Sequence, residues 1–292
     1  MNKKIIFIGG TSRSGSTLLD LIIANDKSGV SLGEISSIFW PSRKHHFELR
    51  ETLLKDKMWA PILSDNLTNL YKNIFKFFPD KTFVVDSSKD PFWINFHSKA
   101  NTIYDTKNVL IHKTPFELAH SFTKRGKRVE WINNYIKYHR LYFTMIPFFS
   151  TIAYKDLILN ESSLRKICDY LGIAYFNSKM DYWERKHVTF FGSNSTRSEN
   201  SFASNEQLYN SKRRDLTYDY NVSSELENFV FQILSKNIYL KKISKTLQSL
   251  VGEVSTEHDF QDIKYSNINL NYLKLKKKIK RSYRFLFPED YF

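Results

Sequence analysis

The sequence predicts an α/β fold on a central parallel sheet flanked by helices, and three observations predict it. Short β-rich runs alternate with stretches of helical spacing through the first half of the chain. Arg13, Ser87, Lys89, Lys113 and Lys155 fall at or just beyond the ends of those runs, where parallel sheets hold their ligands. With 292 residues, 41% apolar and 16% aromatic, the chain can bury a substantial core, which excludes wholesale disorder.

The first strand is read in "KIIFIGG" (4–10), and "STLLDLIIAND" (16–26) follows it with helical spacing. Residues 40–80 and 130–150, rich in aromatics and helical in pattern, are expected to lie over the sheet. "TFVVDSSK" (82–89) and "KNVLIHKT" (107–114) are two further β-rich runs with polar ends, and "TIAYKDL" (151–157) is a fourth. The helix-like "ESSLRKICDYLG" comes next, and its Gly172 suits a C-cap. Residues 192–222 turn polar and read as an extended surface loop. Residues 1–235 are taken as the α/β domain and residues 236–292 as a basic helical C-terminal extension. In that extension, Tyr272, Leu275, Ile279, Tyr283 and Leu286 recur at near-helical spacing among lysines and arginines. Such a basic amphipathic helix has three uses: lying on an anionic membrane, binding an acidic acceptor, or packing on the core with its lysines solvated.

A formal charge of +14 points to an anionic ligand or surface, although solubility accounts for part of it. The single cysteine, Cys168, cannot form an internal disulfide, which favours a reducing compartment. It reads as a small buried apolar residue rather than a nucleophile. Lys3 and Lys4 precede apolar residues, but the run breaks at Gly9–Gly10, which argues against a secretory signal. No stretch approaches the roughly 18 apolar residues of a membrane span. A cytoplasmic location is therefore expected, with peripheral contact at the inner membrane face as an option for the basic tail. No nucleic-acid-binding motif accompanies the charge.

The loop after the first strand, "IGGTSRSGSTLL" (8–19), resembles a phosphate-binding loop with one exchange. Gly10, Gly15 and Thr17 fit the frame G-x-x-x-x-G-K-[ST], and Ser16 stands in place of the lysine. A loop between strand and helix aims amide N–H groups and a positive dipole end at an anion. Glycines permit close approach, Ser12, Ser14, Ser16 and Thr17 supply hydroxyls, and Arg13 supplies a guanidinium. Without the lysine, a γ-phosphate would lack its main cation. Arg13 suits a terminal group approached from the other side. The bland alternative is a tight Gly-Ser turn with a solvated arginine.

Here a specific likeness enters. "TSRSGSTLL" resembles the 5′-phosphosulfate loop of sulfotransferases that use 3′-phosphoadenosine 5′-phosphosulfate (PAPS). In expected order follow "LGEISSIF" (32–39), "VVDSSKDPFW" (84–93), "VLIHKTPFELAHSF" (109–122), "AYKDLILNESSLRKICDYLGI" (153–173) and "HVTFFGSNSTR" (187–197). The "KDPF" is similar to that of tyrosylprotein sulfotransferases, and the likeness covers roughly residues 5–200. It implies a P-loop-type α/β fold and an enzyme whose loop (Gly10, Ser12–Thr17) binds PAPS with no metal. Glu34 is implied as general base, Arg13 and Lys89 as catalytic cations, and Lys113, Ser121 and Arg197 as further nucleotide contacts. Where the family has Arg-Asp-Pro, this chain has Lys113-Thr114-Pro115. Lysine brings the charge without the two-pronged fork, which leaves Arg125 or Arg197 as compensating cations. His187, His112 and Asp86 are rival bases. Ser87 and Ser88 are expected to cap the following helix, with contact to the sulfate as the alternative, and Tyr154 to pack at a strand end rather than contact nucleotide.

Three functional classes follow. The first is a PAPS-dependent sulfotransferase acting on a hydroxyl or amine of a carbohydrate, lipid or small metabolite. The second is a P-loop kinase or other triphosphate enzyme, which needs a Mg²⁺ site and a substitute for the lysine. The third is a catalytically idle member of the fold that binds anions or a membrane.

Overall fold

Five strands form one all-parallel sheet in a computed structural model that describes residues 3–192, 209–210, 216, 218, 220–255 and 257–286. In chain order, β1 (Lys4–Gly9), α1 (Ser16–Ala24) and β2 (Gly29–Gly33) precede a run of helices. These are α2 (Ser36–Phe39), α3 (Lys44–Leu53), α4 (Trp59–Ser64) and α5 (Leu70–Phe77). Then come β3 (Phe83–Asp86), α6 (Pro91–Ala100), β4 (Asp105–His112), α7 (Pro115–Thr123) and α8 (Glu130–Met145). After β5 (Ser150–Ala153) follow α9 (Tyr154–Leu159), α10 (Glu161–Leu171), α11 (Ser224–Lys236), α12 (Ile238–Ser249) and α13 (Asn267–Leu286). The strand order is β2-β3-β1-β4-β5.

The sheet is covered on both faces, which is why its central strand reads as an unbroken apolar run. Ile5 and Phe7 of β1 join one core with Val84, Leu110 and helices from residues 40–150. Ile6 and Ile8 point the other way, into a second core with Val85, Val109, Ile111, α1 and α10. The period of two along a strand produces this division. All four of those β1 side chains are fully buried.

Two departures from the expected strands have local causes. The sequence reading missed β2, because "GVSLG" holds two glycines and only two apolar residues, a weak strand signal. The fourth expected strand, 151–157, stops at Ala153, and Tyr154 begins a helix. Its neighbour in the sheet, β4, ends at His112 opposite Ala153, so that ladder goes no further. Gly172 ends α10 in the left-handed conformation, φ 59°, with the Ile173 amide donating to the Cys168 carbonyl. Cys168 is buried, and that burial pushes its thiol up to about 11.

Leu240, Ile243 and Leu247 of α12 belong to the first core, and Phe260 stacks on Phe143 at 3.9 Å between ring centroids. The chain beyond residue 235 is thus continuous with that core. Among the described residues, no helix is long and apolar enough to cross a membrane.

Candidate functional site

Parallel strands place all their carboxyl ends on one edge of the sheet, and the turns leaving those ends build the site. The turn after β1 runs from Gly10 to Gly15. The Ser14 amide donates to the Thr11 carbonyl at 3.2 Å, and Arg13 sits at φ 72°, a left-handed conformation that costs a side-chain-bearing residue. Gly15 has φ 100°, and a Cβ there would lie 2.5 Å from the Tyr154 ring. Both facts require glycine. Gly15 caps α1 with no side-chain hydrogen bond, no acidic residue occupies its first turn, and the buried Ser14 hydroxyl has no partner. The start of α1 is therefore a positive dipole end with no acidic residue in its first turn.

Two turns are joined through one phenol. The Gly10 amide donates to the Tyr138 hydroxyl at 2.7 Å, and that hydroxyl donates to the Lys89 carbonyl at 2.8 Å. The Gly10 N–H is thereby committed inside the protein. Lys89 itself is left-handed, φ 65°, and its ammonium forms a short ion pair with Glu34 Oε1. Their side chains are 19% and 24% exposed, so the pair is open to a ligand.

Glu34 follows β2, and backbone contacts fix its place. Its amide donates to the Phe190 carbonyl at 2.6 Å, and the Phe190 amide donates to Leu32 at 3.1 Å. Gly33 has φ 60°, and its missing Cβ makes room for the Phe190 backbone. The Ser87 amide donates to the Gly33 carbonyl at 2.9 Å, and the Ser36 amide to the Ser88 hydroxyl at 3.0 Å. Beneath this pair lies Asp86, fully buried, which accepts from Tyr71 Oη at 2.5 Å, Trp93 Nε1 at 2.7 Å and the Ser88 amide at 2.7 Å. Asp20 on α1 is also fully buried and accepts from the Ser87 hydroxyl at 2.6 Å. Burial holds the Asp86 carboxyl above its ordinary range and pushes Asp20 up to about 7.

The expectation that Ser87 and Ser88 cap the next helix fails. Ser87 serves Asp20 and Ser88 serves Ser36, while Asp90 caps α6 through its bond from the Phe92 amide at 3.0 Å. Asp90 lies directly before Pro91, where the proline ring presets the first helical turn. The rival bases are enclosed. His112 and His187 are buried, and burial pulls each down to about 4, while Asp86 is saturated by its three donors.

At the end of β4, the Lys113 ammonium lies 4.0 Å from the centroid of the Tyr154 ring, the same ring that covers Gly15. Tyr154 thus packs at the strand end and links the Lys113 turn to the β1 turn. Thr114 closes a capping box on α7: its hydroxyl accepts from the Glu117 amide at 3.2 Å, and Glu117 accepts from the Thr114 amide at 2.7 Å. The sequence Thr-x-x-Glu carries the signal of that box. Ser121 is half-buried further along α7, Arg125 is exposed just past its end, and Ser12 is exposed on the first turn. Ser16 and Thr17 are buried at the start of α1, and Gly192 packs on Thr17. Arg197 lies outside the described residues.

The structure therefore brings Glu34 and Lys89 into contact, ties Lys89 to Gly10, and ties Lys113 to Gly15. Sequence reasoning missed Tyr138 and Asp20. Tyr138 has no local signal, because its partners lie 128 and 49 positions away. Chemically, the arrangement offers a helix start and cations to an anion, beside one accessible carboxylate.

Solved structures similar to this chain at low identity include three sulfotransferases. A sulfotransferase domain of the Synechococcus PCC 7002 olefin synthase shares 16% identity at a TM-score of 0.40, covering 61% of this chain and 76% of that one. A sulfotransferase domain from the curacin biosynthetic pathway shares 15% at 0.44, covering 79% and 97%. A sulfotransferase from Mycobacterium tuberculosis H37Rv shares 13% at 0.37, covering 62% and 71%. No family model and no curated protein matches the chain.

Proposed function

We propose that this protein is a sulfotransferase that moves a sulfuryl group from PAPS to a hydroxyl or amine of a carbohydrate, lipid or small-molecule acceptor, by in-line transfer without a metal. The observation that carries the reading is the accessible Glu34–Lys89 pair at the strand ends, tied to a glycine-serine loop that has Arg13 but no lysine. The residues present fit such a donor. The orphaned Ser14 hydroxyl and the uncapped start of α1 suit its 5′-phosphosulfate, and Lys113, Ser121 and Arg197 are assigned to the 3′-phosphate.

PAPS supplies a sulfuryl group on a leaving phosphate that is already anionic at neutral pH. Arg13 and Lys89 offset charge on the departing oxygens, the kind of preorganised electrostatic stabilisation that dominates such transfers. Glu34 takes the acceptor proton as attack proceeds. An ordinary glutamate, pKa about 4.3, is too weak to ionise an alcohol beforehand, but positioned proton acceptance contributes about 10²–10⁴-fold. As Glu34 takes the proton its charge is cancelled, and the Lys89 ammonium is released toward the developing negative charge.

Calorimetry with adenosine 3′,5′-bisphosphate in the absence of Mg²⁺ tests the donor, and labelled PAPS with candidate acceptors tests the transfer. Binding of the bisphosphate is expected, with Arg13→Ala and Glu34→Gln each lowering the transfer rate by about 10²-fold or more. Failure to bind it, together with Mg²⁺-dependent ATP turnover, would instead identify a triphosphate enzyme.

A further inference from the structure

The C-terminal helix α13 begins with Leu270 packed on the first core, and beyond it turns charge inward. Its inward side carries charge: Lys277 and Arg281 both pair with Asp90, Lys277 lies over the Phe92 ring at 4.5 Å, and Arg281 lies over the Trp40 ring at 3.2 Å. The apolar line faces outward. Tyr272, Leu275 and Ile279 are 62%, 58% and 60% exposed, although a helix of this pattern ordinarily buries that line. At 100° per residue, these three side chains share one stripe, with Lys276 and Lys280 along one border and Lys278 along the other. Lys276 reaches over the Tyr272 ring at 6.0 Å.

We propose that this outer face of α13 docks on an anionic lipid bilayer. The chemistry argues for a membrane rather than an acidic protein groove. An apolar stripe bordered on both sides by lysines inserts its side chains at the acyl boundary, while the lysine stems extend their ammonium groups to anionic headgroups. The inward ion pairs keep the helix seated on the protein as it does so. Because Asp90 directly follows Lys89, the bilayer surface would lie about one helix diameter, roughly 10–12 Å, from the Lys89 turn. The proposal stands whether or not the site transfers sulfate.

The test is co-sedimentation of the full chain with phosphatidylglycerol–phosphatidylcholine vesicles and with pure phosphatidylcholine vesicles. Binding is expected to the anionic vesicles and to weaken with added salt. The doubly substituted Lys276→Gln, Lys280→Gln chain should bind about thirtyfold more weakly. The Leu275→Ser, Ile279→Ser chain should bind on the order of a hundredfold more weakly, with an unchanged thermal midpoint because both positions are exposed. Equal binding to neutral vesicles, or undiminished binding by the Leu275→Ser, Ile279→Ser chain, overturns the proposal. So does a wild-type chain that ignores both vesicles yet forms oligomers which the same two serines dissolve.

Discussion

Asp20 offers a test of the site's foundations that needs no knowledge of its ligand. The carboxyl is fully buried under the first two turns, with Ser87 as its donor at 2.6 Å. Burial is the main reason that it holds its proton up to about 7, helped by the negative neighbours Asp86 and Glu34 and opposed by the Ser87 and Ser31 hydroxyls. In the unfolded chain the same group titrates at about 3.9. Between those two values this carboxyl binds more protons in the folded state than in the unfolded one, so its contribution to stability falls as pH rises through the window and is level on either side. Each pH unit is worth about 1.4 kcal/mol, which gives a full effect of up to about 4 kcal/mol. Asn at position 20 keeps the shape and an oxygen for Ser87 but cannot ionise. Urea unfolding at steps from about pH 4 to about pH 8 should show the stability of wild type falling relative to that of Asp20→Asn by several kcal/mol, the buried histidines acting equally in both chains, with equal slopes in denaturant. If the two curves run parallel across that range, Asp20 titrates as an ordinary carboxylate and the reasoning is refuted.

The two other predictions concern the backbone frame. Tyr138→Phe removes both bonds of the phenol and leaves the Gly10 amide and Lys89 carbonyl without it. A loss of about 2–3 kcal/mol is expected, read as a drop of about 3–5 °C in thermal midpoint for a chain of 292 residues, together with weaker binding of adenosine 3′,5′-bisphosphate. An unchanged midpoint would mean that water replaces the phenol at no cost. Gly33→Ala places a methyl against the Phe190 backbone at a left-handed position, φ 60°. It should destabilise the chain by about 3 kcal/mol or more and displace Glu34, and urea unfolding that matches wild type would contradict that.

The sequence reading reached furthest where a local pattern sufficed. The apolar run Ile5–Ile8, the C-cap at Gly172 and the helices over the sheet all follow from short-range periodicity or from a single residue's conformational freedom. It failed where distant chain decides. The strand β2 exists because β3 offers it a ladder, despite glycines that disfavour it alone. Asp90, rather than Ser87 or Ser88, caps α6 because those serines are claimed by Asp20 and Ser36 from other elements. The outward turn of the Tyr272–Ile279 line is likewise set by Asp90, Trp40 and Phe92, which the periodicity of α13 cannot foresee.

Asp90 also gives the protein a timetable. Its bond to Lys277 spans 187 positions, and the bond to Arg281 spans 191. At ribosomal speeds of about 5–20 residues per second, the turn carrying Lys89 waits about 10–40 s after synthesis for its partners on α13 to emerge. Throughout that interval Asp90 caps its own helix but has nothing from α13 to hold. The brace on that turn is therefore drawn from one of the last segments of the chain to be made.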